Sequence, residues 1–255
     1  MAKLVKRERL DGGGGAYFLE PPSQLKFIDT GATILNCVLG GGLPLGTISN
    51  IVGDKSTGKT HIAIETMANF ARQYPKGKIR YVETEAAFQK EYAAALGIPI
   101  GRGEFPDEQI DTVEAFYDDL NKWCDKTKGI GGLYILDSLD ALSDEGEMKR
   151  DMREGSYGTG KAKQMSQMFR RIVRKIGKSN IHLMVISQIR DKIGVTFGKR
   201  YDRSGGHALD FYASQILYLA HLGGISQTVQ GVKRTVGVRI KAKCEKNKIG
   251  LPFRD

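Results

Sequence analysis

Nowhere does the chain approach the roughly 20 consecutive apolar residues of a membrane-spanning helix, so neither a span nor a membrane partner is expected. The opening Met1-Ala2-Lys3-Leu4-Val5-Lys6-Arg7-Glu8-Arg9 lacks the apolar centre of a secretory signal, which points to an intracellular, cytoplasmic protein. Cysteine is scarce. Cys37, Cys124 and Cys244 are odd in number, far apart and without a C-x-x-C pair, excluding a disulfide framework and a zinc site. There is no internal repeat, and no low-complexity tract beyond short glycine runs. What remains is ordinary globular material: 255 residues, 40% hydrophobic and 27% charged, enough for one large domain with a short appendage. Lys plus Arg number 39 against 29 Asp plus Glu, a net charge of +10, and the pI is near 9.4. That balance favours a polyanionic partner without choosing among nucleic acid, an anionic surface and plain solubility.

Residues 1–27 differ from the rest. A basic run, Lys3 to Arg9, leads through Gly12–Gly15 to Ala16-Tyr17-Phe18-Leu19. Four successive glycines cannot hold a regular element cheaply, so this region reads as a flexible arm ending in an apolar patch. Residues 28–255 form the expected core. Strands are predicted over Thr47–Val52, Lys78–Glu83, Leu133–Leu136 and His182–Ser187. Helices are predicted over Lys59–Gln73 and Gln109–Asp125, and around Met165–Ile176. Alternating strands and helices imply an α/β fold with a mostly parallel sheet. Ser214–Ala220, Arg234–Cys244 and the closing residues read as strands without intervening helices, placing antiparallel strands at the C-terminal edge.

Gly53-Asp54-Lys55-Ser56-Thr57-Gly58-Lys59-Thr60 satisfies G-x-x-x-x-G-K-[ST] between a strand and an amphipathic helix, with His61 following. Glycines let such a loop turn its N–H groups onto phosphate oxygens, and the helix N-terminus favours an anion. Lys59 is expected on the β- and γ-phosphates and Thr60 on Mg²⁺, which makes a nucleoside triphosphate with Mg²⁺ the expected ligand. Asp137, ending the buried Leu133–Leu136 run, is the matching acid for the metal's water shell. Glu83 and Glu85 both follow a strand, and period-two alternation alone does not decide which orients an attacking water. Gln188 follows another buried strand and could sense the γ-phosphate.

Residues 189–206 carry Arg190, Lys192, Lys199, Arg200 and Arg203 among Gly194, Gly198, Gly205 and Gly206, with Ile193, Val195 and Phe197 between them. Such a loop suits a single nucleic-acid strand, and it equally suits a solvated surface. Arg153 to Lys163, including Gly155, Gly158 and Gly160, is a second candidate.

Taken together, the phosphate loop, Leu136-Asp137-Ser138, Glu85, Met165-Ser166-Gln167, Gln188-Ile189-Arg190, Lys192-Ile193-Gly194-Val195, Phe197-Gly198, Gly205-Gly206, Phe211-Tyr212-Ala213-Ser214 and Lys246-Asn247-Lys248-Ile249 resemble the RecA recombinases, of bacterial or phage type, from about Ile28 to Phe253. The resemblance implies a DNA-dependent ATPase that forms filaments on single-stranded DNA and pairs it with homologous double-stranded DNA in recombination and repair. It implies that Glu85 rather than Glu83 activates water and that Gln188 opens a second DNA-binding loop, residues 189–205. The first such loop is then residues 153–160. Tyr92 is implied on the adenine, Lys246 and Lys248 on a neighbour's ATP, and Phe211 in the interface coupling ATP to filament state. A ring is the alternative assembly, and a single-stranded-DNA-binding protein is a further implied partner. An accessory ATPase that anneals or loads without exchanging strands is the competing reading, ahead of a ring helicase.

Departures from the family pattern are also legible. The chain stops soon after the core, so the family's C-terminal domain is expected to be absent. Gln89 stands where an acid beside the adenine is expected, leaving base selectivity open. The short arm suggests that Tyr17 and Phe18 replace the family's N-terminal polymerisation element.

Overall fold

A computed structural model describes residues 25–85, 90–95, 97, 100–149, 159–191, 201–203 and 207–255. The described strands are β1 (Phe27–Ile28), β2 (Leu43–Pro44), β3 (Ile48–Gly53), β4 (Lys78–Glu83), β5 (Gly103–Glu104), β6 (Gly132–Asp137), β7 (Ile181–Asp191), β8 (Tyr201–Arg203), β9 (Gln215–Val229) and β10 (Val232–Asn247). The helices are α1 (Thr33–Leu39), α2 (Lys59–Gln73), α3 (Lys90–Ala95), α4 (Val113–Lys126), α5 (Glu145–Lys149), α6 (Thr159–Ser179) and α7 (Ala208–Tyr212). Single 3-10 turns lie at Ile100–Arg102 and Leu139–Ala141.

Apart from the small β1–β2 ribbon, the strands build one sheet in the order β10-β9-β3-β7-β6-β4-β5, with β8 set against the end of β7. From β9 through β5 every neighbouring pair is parallel; β10 runs antiparallel to β9 at the edge. The mostly parallel sheet with an antiparallel C-terminal edge is the α/β architecture that the alternating pattern predicts.

Side-chain alternation shows why the central strands read as unbroken apolar runs. On β6, Tyr134 and Leu136 enter one core, while Leu133 and Ile135 enter the other. On β7, Leu183 and Val185 face the first core, and Met184 and Ile186 the second. The α4, α6 and α7 helices cover the first face, and α1 with α2 covers the second. A strand buried on both sides has no polar face to show.

Three expectations are corrected. The fourth helix begins at Val113 rather than Gln109: Thr112 caps it, its hydroxyl accepting from Ala115 N at 3.1 Å. Before it, Asp111 O accepts from Ser143 N at 2.8 Å and Val113 N donates to Ser143 O at 2.9 Å, bridging Thr112 to Ser143 with Ile110 buried nearby. The C-terminal strands are much longer than predicted and form one hairpin turning at Gln230-Gly231, whose φ values of 53° and 76° are those of a tight primed turn. Leu222-Gly223-Gly224 broke the alternation in the sequence, and register shifts absorb that break in the structure. The closing residues are no strand; they return to β10 through a single Cys244–Arg254 bridge.

Candidate functional site

Four adjacent parallel strands, β4, β6, β7 and β3, end at the same edge of the sheet, and each hands a polar group to the space above it. From β3 the chain enters the phosphate loop. A Cβ on Gly53 would meet Thr57 Oγ1 at 2.5 Å and the Leu219 carbonyl at 3.0 Å, so only glycine lets the loop lie down against β9. The loop then closes on itself: Thr57 Oγ1 donates to Asp54 O at 2.7 Å, and Lys59 Nζ donates to the same carbonyl at 2.7 Å. Ser56 and Gly58 both take left-handed φ, 58° and 80°, and Gly58 is the residue before α2. The first turn of α2 therefore opens onto a cleft of about 320 Å³ lined by residues 55–61 together with Glu85, Asp137 and Gln188.

On the opposite wall, Asp137 Oδ2 accepts from Thr60 Oγ1 at 2.7 Å and from the buried Tyr81 hydroxyl at 2.8 Å. Burial holds its carboxyl above the ordinary range; the two hydroxyl donors pull the other way, and Glu85 and Glu83 add to the rise. Lys59 is displaced oppositely. Burial pulls its ammonium down, while Asp137, Glu85, Asp140 and Asp54 oppose that. Glu85 Oε1 accepts from Ser138 Oγ and from Gln188 Nε2, the latter at 3.0 Å. Ser138 is fixed in turn by a reciprocal pair with Thr84: Thr84 Oγ1 donates to Ser138 O at 2.7 Å and accepts from Ser138 N at 2.9 Å.

This geometry separates the two glutamates. β4 ends at Glu83, so the alternation that would keep both on one side does not continue. Glu83 Oε1 accepts from the Glu85 amide at 3.0 Å, and Glu85 alone lines the cleft. Sequence reading overlooked Ser138, Thr84 and Tyr81, which fix the carboxylates. Ser138 was visible only as the neighbour of Asp137, and Tyr81 as one more apolar strand residue.

Tyr92, half-exposed on α3, lies apart from the phosphate cleft, at an apolar recess of about 1010 Å³ that shares Ser56, Gly58 and His61 with the phosphate loop. Lys246 and Lys248 converge on the end of α7: Lys246 Nζ donates to Asp210 O and Phe211 O, and Lys248 Nζ to Phe211 O at 3.1 Å. Phe211 beside them is exposed. Lys246 pairs with Ile216 and Asn247 with Gln215, at the start of β9, so this patch sits at the sheet edge opposite the phosphate loop. Gly160 lies in the first turn of α6, where a Cβ would come within 2.6 Å of Asp144 Oδ2. The backbone of Ile189–Asp191 pairs antiparallel with Tyr201–Arg203. Tyr17, Phe18, Arg153, Gly155, Gly158, Lys192, Ile193, Val195, Phe197, Gly198, Lys199, Arg200, Gly205 and Gly206 lie outside the described residues, as does Gln89.

A family model described as the RecA N-terminal domain matches residues 8–255. The chain belongs to the RecA family. Among curated relatives, Protein RecA of Nostoc punctiforme is 35% identical over 253 residues, covering 98% of this chain and 67% of its own length. Protein RecA of Synechocystis is 34% identical over 255 residues, 99% of this chain and 69% of its own. RecA-family proteins bind ATP with Mg²⁺, and the cleft fits that ligand pair. Mg²⁺ is usually held by one or two carboxylates plus substrate phosphates; Asp137 would offer one carboxylate and Thr60 a hydroxyl, beside an anion-binding loop. No cluster of three or more His, Cys, Asp or Glu side chains able to hold a metal occurs among the described residues. No helix among them is long and apolar enough to cross a membrane.

Proposed function

We propose that this chain is a DNA-stimulated ATPase of the cytoplasm that assembles on single-stranded DNA and pairs it with a homologous duplex. One observation carries the reading: Gln188, at the root of the segment proposed to hold DNA, donates to Glu85, the carboxylate proposed to activate water. The backbone of residues 53–60 and Lys59 bind the phosphates; Thr60 and Asp137 hold Mg²⁺, which supplies charge neutralisation to the triphosphate. Tyr92 stacks on the base.

Gln188 has one amide donor already engaged by Glu85, and a γ-phosphate oxygen in the same cleft is a competing acceptor. When Gln188 turns to that oxygen, Glu85 Oε1 is released to accept a proton from water, with Ser138 keeping the carboxylate oriented. Nucleotide state and the DNA-holding segment are thereby coupled in both directions. Arg153, Gly155, Gly158 and Gly160 form the first DNA contact, and Arg190, Lys192, Ile193, Val195, Phe197, Gly198, Lys199, Arg200, Gly205 and Gly206 the second. Lys246 and Lys248 act on a neighbouring copy, stabilising charge at its nucleotide in the manner of an arginine finger, and Phe211 lies in the interface that couples the nucleotide to filament state. Residues 1–27, through Tyr17 and Phe18, form the polymerising arm, and residues 28–255 the ATPase core.

The test is strand exchange between a labelled single strand and a homologous duplex, with and without ATP, beside a DNA-stimulated ATPase trace. ATP- and homology-dependent exchange that Glu85→Gln abolishes supports the reading. ATPase stimulated by single strands without exchange makes the chain an accessory factor instead, and hydrolysis indifferent to DNA overturns both.

A further inference from the structure

We infer that Asp140 and Lys161 are positioning residues that transmit nucleotide state from Gln188 to the first turn of α6; the functional consequence rests on the reading above. β6 pairs with β7 only as far as Leu136–Val185, short of Gln188. On the other side β3 still pairs as far as Gly53–Gln188, but on the β6 side an acceptor for the Gln188 amide has to come from outside the ladder. The turn after β6 provides it: Asp140 Oδ2 accepts from Gln188 N at 2.6 Å. A backbone N–H left without such a partner in this half-buried position loses a charge-assisted bond.

The same turn is gripped from its other side. Lys161 Nζ, on α6, donates to Leu139 O at 2.9 Å and to Asp140 O at 3.2 Å. One residue earlier, the approach of Gly160 to the buried Asp144 leaves no room for a Cβ, so the first turn of α6 is packed tightly against the segment after the turn. A continuous path therefore runs from Glu85 through the Gln188 amide side chain, the Gln188 backbone and Asp140 to Lys161. Its three contacts, Gln188 Nε2 to Glu85, Gln188 N to Asp140 Oδ2 and Lys161 Nζ to Asp140 O, are directional hydrogen bonds, joined through the covalent frames of Gln188 and Asp140. A change of acceptor at the Gln188 side chain that carries its backbone along is passed to Asp140, to which that backbone is tied.

The experiment compares wild type with Asp140→Ala, Asp140→Asn and Lys161→Met by hydrogen exchange, with and without Mg²⁺ and a non-hydrolysable ATP analogue. Without nucleotide, Asp140→Ala should speed exchange at the Gln188 amide on the order of tenfold, the low end for losing one bond to a charged acceptor. Asp140→Asn, which keeps an acceptor oxygen, should restore protection. With the analogue, wild type should gain protection in residues 160–165; Asp140→Ala and Lys161→Met should lose that response, and Asp140→Asn should keep it. Unchanged protection of Gln188 in Asp140→Ala overturns the inference, as does an α6 response absent from wild type or intact in Lys161→Met. Should Asp140→Ala not fold, Asp140→Asn and Lys161→Met decide alone. Because exchange is read without DNA or turnover, a wild type inert in the ATPase assay would sink the proposed function while this result still stood or fell by itself.

Discussion

Asp119→Ala tests how far the sheet beneath the site depends on one charged cluster. Arg80 on β4 meets Asp119 on α4 through two bonds, Nε to Oδ2 at 2.7 Å and Nη2 to Oδ1 at 2.5 Å. The fully buried Tyr134 hydroxyl donates to Asp119 Oδ2 at 2.6 Å. Burial opposes the charge on Arg80, but the Asp119 carboxylate outweighs it and holds the guanidinium above its usual range. Burial, with Asp119 beside it, likewise pushes the Tyr134 hydroxyl well up. Removing the carboxylate strands a cation whose side chain is 14% exposed and a hydroxyl with no exposure at all. Breaking a buried pair costs about 3–5 kcal/mol, and residual solvent access puts this one near the lower end, about 3. For a domain of this size that is roughly 6–12 °C in Tm. The assay is urea unfolding followed by Trp123 fluorescence, with Arg80→Met/Asp119→Leu/Tyr134→Phe as a neutral replacement. The triple variant should recover most of the loss, since no unpaired polar group remains. A loss below about 1 kcal/mol for Asp119→Ala, or a triple variant no better than the single, refutes the argument.

Gly53→Ala should lose about 1–3 kcal/mol by forcing Thr57 off Asp54 or β9 off β3, and should weaken nucleotide affinity, read by titration of a fluorescent ATP analogue. Glu85→Gln should bind that analogue normally yet hydrolyse ATP about 10²–10⁴-fold more slowly, read by phosphate release. His182, fully buried with Nδ1 on the Pro44 carbonyl at 2.8 Å, has its pKa lowered by burial from 6.5 to about 4. Below pH 6.5 the unfolded chain binds the proton first, so stability present at neutral pH drains away as pH falls toward 4, by about 2 kcal/mol at pH 5. Asn in its place should flatten that part of the curve in urea titrations at pH 7 and pH 5.

The parts legible in the sequence share a physical reason: each is governed by neighbours along the chain. Loop, strand and helix around residues 48–73 are set by glycine positions and by a two-faced apolar run, both local. The Gln188 position followed from an amide after a buried apolar run, although the strand predicted to stop at Ser187 continues to Asp191, where β8 pairs with it. Illegible were contacts made across the sheet. Asn50, an apparent blemish in an apolar strand, donates to Val185 O and Ser187 Oγ on β7, at 2.9 and 2.8 Å. Gln215 is buried likewise, donating to Leu39 O and Gly42 O and so seating the end of α1 on β9. Arg102, one more surface cation by composition, donates to the carbonyls of Ala71, Tyr74 and Gly77 and closes the far end of α2. No periodicity marks such residues, because their partners lie 25 to 176 positions away.

Topology constrains the assembly more sharply than any motif does. The cleft sits where β3 ends at Gly53, whereas Lys246 and Lys248 sit where β9 begins, opposite Ser49 and its neighbours. Ser49 to Gly53 spans four strand rises, about 13 Å, and the lysines must also cross the loop beyond. Both ammonium groups already point the other way, onto the carbonyls at the end of α7. On the function proposed above, a phosphate held by these two lysines belongs to another copy. One copy then offers its phosphate-loop edge where the next offers its α7 edge, two different surfaces in contact. Such a head-to-tail contact cannot terminate in a two-fold dimer; it closes into a ring or continues as a helix. A variant with Lys246→Ala and Lys248→Ala mixed with one carrying Lys59→Ala decides the point. If the lysines act across the contact, mixed assemblies recover ATP hydrolysis wherever intact lysines face an intact phosphate loop, and recovery rises then falls with mixing ratio. Hydrolysis absent at every ratio, though the two variants co-assemble, would mean the lysines serve only their own chain.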